Sequence, residues 1–187
     1  MPRYEELVAA VLNELSGALR SVNADDIERF KRSILEAKRI FITGKGRSGL
    51  QMRAFAMRLM HLGLSIHVVD DVTTPGIGAG DLLVIGSGSG RTASLVNYAR
   101  KAKSVNAHIA LLTITSSSPV GELADIIVHI QASTPKLGEA DVPRSIQPMG
   151  NLFEQSLGLL LDIITMLLMA DLNQTSEQMF TRHANLE

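Results

Sequence analysis

Hydrophobic residues change their period along the chain. Leu7, Val11, Leu12, Leu15 and Leu19 recur at helical spacing. A second helical stretch follows Asn23, with Ile27, Phe30, Ile34 and Leu35 on its inner side. Asn23 is a natural cap there, and Asp25, Asp26 and Glu28 suit the positive end of the helix. Past residue 38 the pattern becomes five short apolar runs, at 39–43, 65–69, 81–85, 108–114 and 125–130. Near-continuous β-branched runs of this kind are strands covered on both faces. Helical patterns at 48–62 and 92–104 separate the first run from the second and the third from the fourth. Strand–helix alternation predicts a parallel sheet with right-handed crossovers. The expected fold is α/β: a five-stranded parallel sheet of order 2-1-3-4-5 with helices on both faces, flavodoxin-like. Residues 1–187 read as a single domain, with N-terminal helices at 1–37, an α/β core at 38–130 and C-terminal helices at 151–183.

The stretch 151–172 is apolar around most of a helical circumference. Leu157, Leu160, Ile163, Met166 and Leu168 cannot all face one sheet, so the helix needs partners on several sides. A second copy of the chain is the expected outer partner, which predicts a homo-oligomer packed through this helix. Its most apolar part is shorter than the roughly 20 residues of a membrane span, and Asp162 interrupts it. A buried helix is therefore expected and no membrane contact.

Composition narrows the classes. At 187 residues with 45% hydrophobic content, the chain can bury a proper core. A net charge of −1 offers no basic surface for nucleic acid. With no cysteine, disulfides and thiolate metal sites are excluded, which suits a reducing, cytoplasmic setting. The polar, acidic start at Met1–Glu6 does not read as a leader. The five histidines show no ligand spacing, so no metal is expected.

Two glycine-rich turns carry the candidate chemistry. Gly44-Lys45-Gly46-Arg47-Ser48-Gly49 follows the first strand, and Gly86-Ser87-Gly88-Ser89-Gly90-Arg91-Thr92 follows the third. In the predicted order those strands are neighbours, and both turns open onto the crevice at their carboxyl ends. Helix N-termini present unpaired N–H groups, glycine lets backbone approach an anion, and hydroxyls donate further bonds. Ser48, Ser87, Ser89 and Thr92 are thus placed to surround one phosphate. The first turn also spells a dinucleotide fingerprint, with Asp70 and Asp71 near the position of a ribose-binding acid. Against that reading, Lys45, Arg47 and Ser48 make the turn polar and cationic, no second mononucleotide half follows, and the hydroxyl-rich second turn is left without a task.

Ser87-Gly88-Ser89-Gly90-Arg91-Thr92 resembles the S-x-S-G-x-T phosphate loop of the sugar isomerase (SIS) domain family, and Ser48 falls where that family has a further phosphate-binding serine. Many SIS domains carry Glu where Arg91 stands. The segments GKGRSG, AFAMRLMHLG, PMGNLFEQSL and MFTRHANLE are similar to the 6-phospho-3-hexuloisomerases of that family. The resemblance spans essentially the whole chain. It implies reversible conversion of D-arabino-3-hexulose 6-phosphate to fructose 6-phosphate, through a cis-enediol and without a cofactor, in the ribulose monophosphate route of formaldehyde fixation. It also implies a tetramer, a small phosphorylated ketose as ligand, Glu154 as the base and His183 as a second proton-handling group, acting in cis or across a subunit boundary.

The residues themselves leave other readings open. Glu154 sits in the first turn of the late helix and also fits a capping box with Asn151 as the cap. His183 also fits a solvated tail, and His61 a partner for the end of its own helix. Arg47 and Lys45 fit either substrate contact or simple solvation, and Thr134 and Lys136, after the fifth strand, lie at the same end of the sheet. Asp162, in an apolar helix, calls for a partner across an interface. A non-catalytic sugar-phosphate sensor would use the same loops.

Overall fold

The computed structural model describes residues 3–133 and 145–186. Two helices come first, α1 (Tyr4–Arg20) and α2 (Ala24–Glu36). The Asn23 side chain accepts a hydrogen bond from Asp25 N at 2.8 Å, so the expected cap is in place. The core follows as β1 (Ile40–Gly44), α3 (Gly46–His61), β2 (Ile66–Val68), β3 (Leu82–Gly86), α4 (Ala93–Ser104), β4 (His108–Thr113) and β5 (Ile126–His129). The helices α5 (Asn151–Asp171) and α6 (Ser176–Phe180) close it. The five strands form one parallel sheet in the order β2-β1-β3-β4-β5, as the pattern predicts.

Alternate strand residues feed two cores. Ile40, Ile42, Leu82, Val84, Ala110 and Leu112 pack with residues of α1, α2, α3 and α5. Phe41, Leu83, Ile85, Ile109 and Leu111 pack under Leu95, Val96, Ala99 and Ala102 of α4. Helices therefore cover both faces, which is why the strands read as continuous apolar runs. Some expected inner positions face out instead: Leu7, Leu12 and Leu35 are exposed. Among its main neighbours α1 has α5 alone. That seam is narrower than the helical stripe, and it leaves Leu7 and Leu12 outside.

α5 is long and apolar enough to cross a membrane, but half of its apolar window is buried within the fold. Leu152, Phe153, Leu157, Leu160, Leu161, Ile164 and Leu168 form its inner face. Leu159, Ile163 and Met166 lie exposed on the other side, and so does Asp162. Within a single chain the aspartate is therefore solvated, and only an interface over this face would call for a partner.

Two contacts hold β1, β3 and α3 in place. At the amino ends of the strands, Arg39 donates to both carboxylate oxygens of buried Asp81, Nη2 at 2.6 Å and Nε at 3.1 Å. Gly78 N adds a third bond at 2.8 Å. Burial pushes the Asp81 carboxyl up, but these donors outweigh it and hold the group below its ordinary range. At the carboxyl end, Gly44 meets Gly49 with no room for a side chain: a Cβ on Gly49 would stand 2.7 Å from Gly44 O. This closeness draws the first turn of α3 against the end of β1.

Gly49→Ala forces helix and strand apart, and overpacking of this kind costs roughly 1–3 kcal/mol. Urea unfolding is expected to show a lower midpoint with an unchanged slope. An unchanged midpoint would contradict the contact.

Candidate active site

β1 and β3 end together, with Gly44 paired to Gly86. The chain leaves β1 into α3 on one face of the sheet and leaves β3 toward α4 on the other. A cleft of about 320 Å³ opens where they part. Lys45, Gly46, Arg47 and Ser48 line it from the first turn, and Ser87, Gly88, Ser89 and Thr92 from the second. Met149, Gly150, Phe153 and Glu154 close it from the start of α5, with Ile114 and Leu95 completing the wall.

The second turn is braced from β4. Ser87 N donates to Leu112 O at 3.0 Å, and Gly88 O accepts from Ile114 N at 3.2 Å and Thr113 Oγ1 at 3.0 Å. Ser87 Oγ accepts from Gly90 N at 3.1 Å, and Ser89 Oγ accepts from Arg91 N at 3.3 Å. Each hydroxyl still has its proton to donate to a ligand. Thr92 is the N-cap of α4 yet makes no side-chain cap bond. Gly90 has φ +59°, and a Cβ there would strike Ser118 Oγ. Its role is to turn the loop, and it does not line the cleft. Arg91 also stays outside the cleft; its Nη2 reaches Ser117 O at 3.4 Å.

Three helix N-termini converge here, from α3, α4 and α5. Each brings unpaired N–H groups and a partial positive charge. α5 is capped by Gly150, with no side-chain cap bond, and Asn151 is already its first helical residue. The expected capping box of Asn151 with Glu154 is therefore not formed. Glu154 lies one position further in, and its carboxylate accepts from Arg47 Nε at 2.7 Å instead. That pair joins the two expected contributors across 107 residues of sequence.

Lys45 is held differently. Its Nζ donates to Asp70 Oδ2 at 2.6 Å and lies 5.4 Å from the centre of the Tyr98 ring. Tyr98 OH donates to the other oxygen of Asp70 at 2.6 Å. The Lys45 and Tyr98 bonds lower the Asp70 carboxyl, and the Asp70 bond raises the Lys45 ammonium. Asp71 pairs with Arg53 at 3.0 Å. Both acids that a dinucleotide reading assigns to a ribose are thus occupied by ion pairs. A cleft of this size lies at the low end of the range for small-molecule pockets.

His183 is not in this cleft. It stacks between His61 and Phe180, with ring centres 5.5 Å away on each side, in a second pocket lined also by Arg58, Asp162 and Met166. His61 is 3% exposed, and burial, then the charges of Arg58 and His183, push its imidazole below the ordinary range. The side chain that serves the end of α3 is Arg182, whose Nη1 donates to His61 O at 3.0 Å. Thr134 and Lys136 lie outside the described residues. Sequence reasoning missed Leu95, Ile114, Met149 and Phe153 as wall residues. Met149 and Phe153, both within PMGNLFEQSL, carried a signal, and Leu95 and Ile114 carried none.

The sequence profile of the SIS domain matches residues 33–154, and the chain belongs to the SIS domain family. Within it, the chain is 45% identical to the 3-hexulose-6-phosphate isomerase of Bacillus subtilis, over 97% of this chain and 98% of that protein. It is 40% identical to the 3-hexulose-6-phosphate isomerase of Mycobacterium gastri, over 96% and 89%. A crystal structure of a hypothetical protein from Methanococcus jannaschii, described as inferring a molecular function of 3-hexulose-6-phosphate isomerase, superposes with a TM-score of 0.84. It is 34% identical, with coverage of 97% of this chain and 99% of that one.

Proposed function

We propose that this chain is a 3-hexulose-6-phosphate isomerase that interconverts D-arabino-3-hexulose 6-phosphate and fructose 6-phosphate. The coarser statement, a sugar-phosphate isomerase, follows from its full-length relatives. The observation that carries the finer one is the meeting of Glu154 with Ser48, Ser87, Ser89 and Thr92 around a single cleft.

In this reading the four hydroxyls and the N-termini of α3 and α4 seat the phosphate. The sugar extends toward α5, with Phe153 and Ile114 as an apolar wall that keeps water away. Glu154 takes the proton from C3 of the 2-ketose, leaving a cis-enediolate; the hydroxyl proton passes from O3 to O2, and Glu154 returns its proton to C2 to give the 3-ketose. The reverse direction exchanges the two carbons. One base close to both carbons serves both steps, and because C2 is reduced as C3 is oxidised, no external oxidant or reductant is required. His183 acts from a neighbouring subunit, since its own chain keeps it out of the Glu154 cleft. The exposed Leu159, Ile163 and Met166 form the contact of a homotetramer packed through α5. The setting is cytoplasmic, in the ribulose monophosphate route.

Glu154→Gln is expected to lower turnover about 10²–10⁴-fold, the range of a general base. Fructose 6-phosphate should still raise its melting temperature. In D₂O the wild-type protein should place deuterium at C3 of fructose 6-phosphate. A sensor would be stabilised by the same ligand with no exchange, and that result would refute the enzymatic reading. Sedimentation equilibrium of the intact protein tests the assembly: a tetramer is expected, and a monomer at micromolar concentration would overturn it.

A further inference from the structure

The carboxylate assigned as the base is not free. Arg47 Nε holds Glu154 Oε2 at 2.7 Å, and the Glu154 side chain is only 19% exposed. An oxygen engaged by a guanidinium has its lone pair directed at the N–H, and that hydrogen bond must break before the same lone pair can take a proton from carbon. Arg47 precedes Ser48 in the first turn of α3, so it belongs to the phosphate-facing loop as well. Its side chain is 57% exposed and pairs with Glu154. The other cation lining the cleft is already fixed, since Lys45 is tied to Asp70 and Asp70 to Tyr98. Arg47 is therefore the cation that can change partners. A phosphate arriving beside Ser48 offers three oxygens and up to two negative charges, against the single charge of Glu154. A guanidinium fork matches that geometry with paired bonds.

We propose that Arg47 is a specificity-determining residue: it guards Glu154 in the unliganded protein and releases it when a phosphate dianion takes the guanidinium. The proposal rests on Glu154 as the base. It adds that the phosphate is needed for proton transfer and not only for binding. An unphosphorylated ketose that reaches the cleft meets a base still paired to Arg47. A phosphorylated one draws Arg47 away and frees Oε2 to accept the proton.

The test divides the substrate in two. Deuterium incorporation at C3 of unphosphorylated fructose is followed in D₂O, with and without added phosphite dianion, for wild type, Arg47→Ala and Arg47→Gln. Wild type is expected to respond to phosphite. Without phosphite, both variants should exchange fructose faster than wild type by about fivefold, the upper end for a partly solvated ion pair. Their response to phosphite should be largely lost. An arginine that merely binds phosphate also loses the phosphite response, but leaves the phosphite-free rate unchanged or lower. Phosphite-free exchange in the variants no faster than in wild type, measurable or not, overturns the guard. Arg47 is mostly solvent-exposed, and melting temperatures close to wild type establish that the variants fold. Absence of exchange with fructose 6-phosphate in wild type would instead remove the function on which the guard rests, which separates the two failures.

Discussion

The pairing of Gly44 with Gly86 across β1 and β3 places two glycine turns side by side. From that point the chain departs in opposite senses, to α3 under one face of the sheet and to α4 over the other. A crevice must open between two such departures, and it opens at the carboxyl ends of the strands. The arrangement is held at both ends. Arg39 and Asp81 fasten the strands at their amino ends, and the bare contact of Gly44 with Gly49 seats α3 against β1. Without the second contact, Ser48 and the first turn of α3 would sit further from Ser87 and Ser89.

In the proposed function the cleft holds an anion without a large net positive charge. Lys45 and Arg47 are both paired with carboxylates, so formal charges nearly cancel at its edge. What is left is a set of dipoles: three helix N-termini and four hydroxyls. Such groups stabilise a phosphate without carrying counter-charge into the protein's overall balance of −1. The apolar wall of Phe153, Ile114 and Leu95 lowers the local dielectric, which strengthens each of these interactions. Glu154 sits where this polar set meets that wall.

Local features of the sequence were legible, and through strand–helix alternation so was the sheet order, but individual side-chain pairings across the chain were not. The five strands, the Asn23 cap and the two glycine-rich turns that line one cleft follow from period, capping chemistry and glycine spacing, which act over a few residues. The pairing of Arg47 with Glu154 spans 107 residues, and no local pattern encodes it. The wall residues Ile114 and Leu95 look like ordinary strand and helix positions until the fold brings them to the cleft. Asn151 loses the capping role to Gly150 because the helix starts one residue earlier than its side-chain chemistry implies. Arg91 lies within a phosphate motif, but the turn at Gly90 sends its side chain toward Ser117. His183 follows a short helix whose packing, not its sequence, sets it against His61.

The central claim is that the turns after β1 and β3 grip one phosphoryl group while α5 presents Glu154 to the ketose carbons. A crystal structure with fructose 6-phosphate bound measures this directly. The account predicts the phosphate within hydrogen-bonding distance of Ser48, Ser87, Ser89 and Thr92 together, with C2 and C3 against Glu154. A phosphate seated instead beside His61 and His183, or at the amino ends of the strands near Arg29 and Arg32, would contradict it.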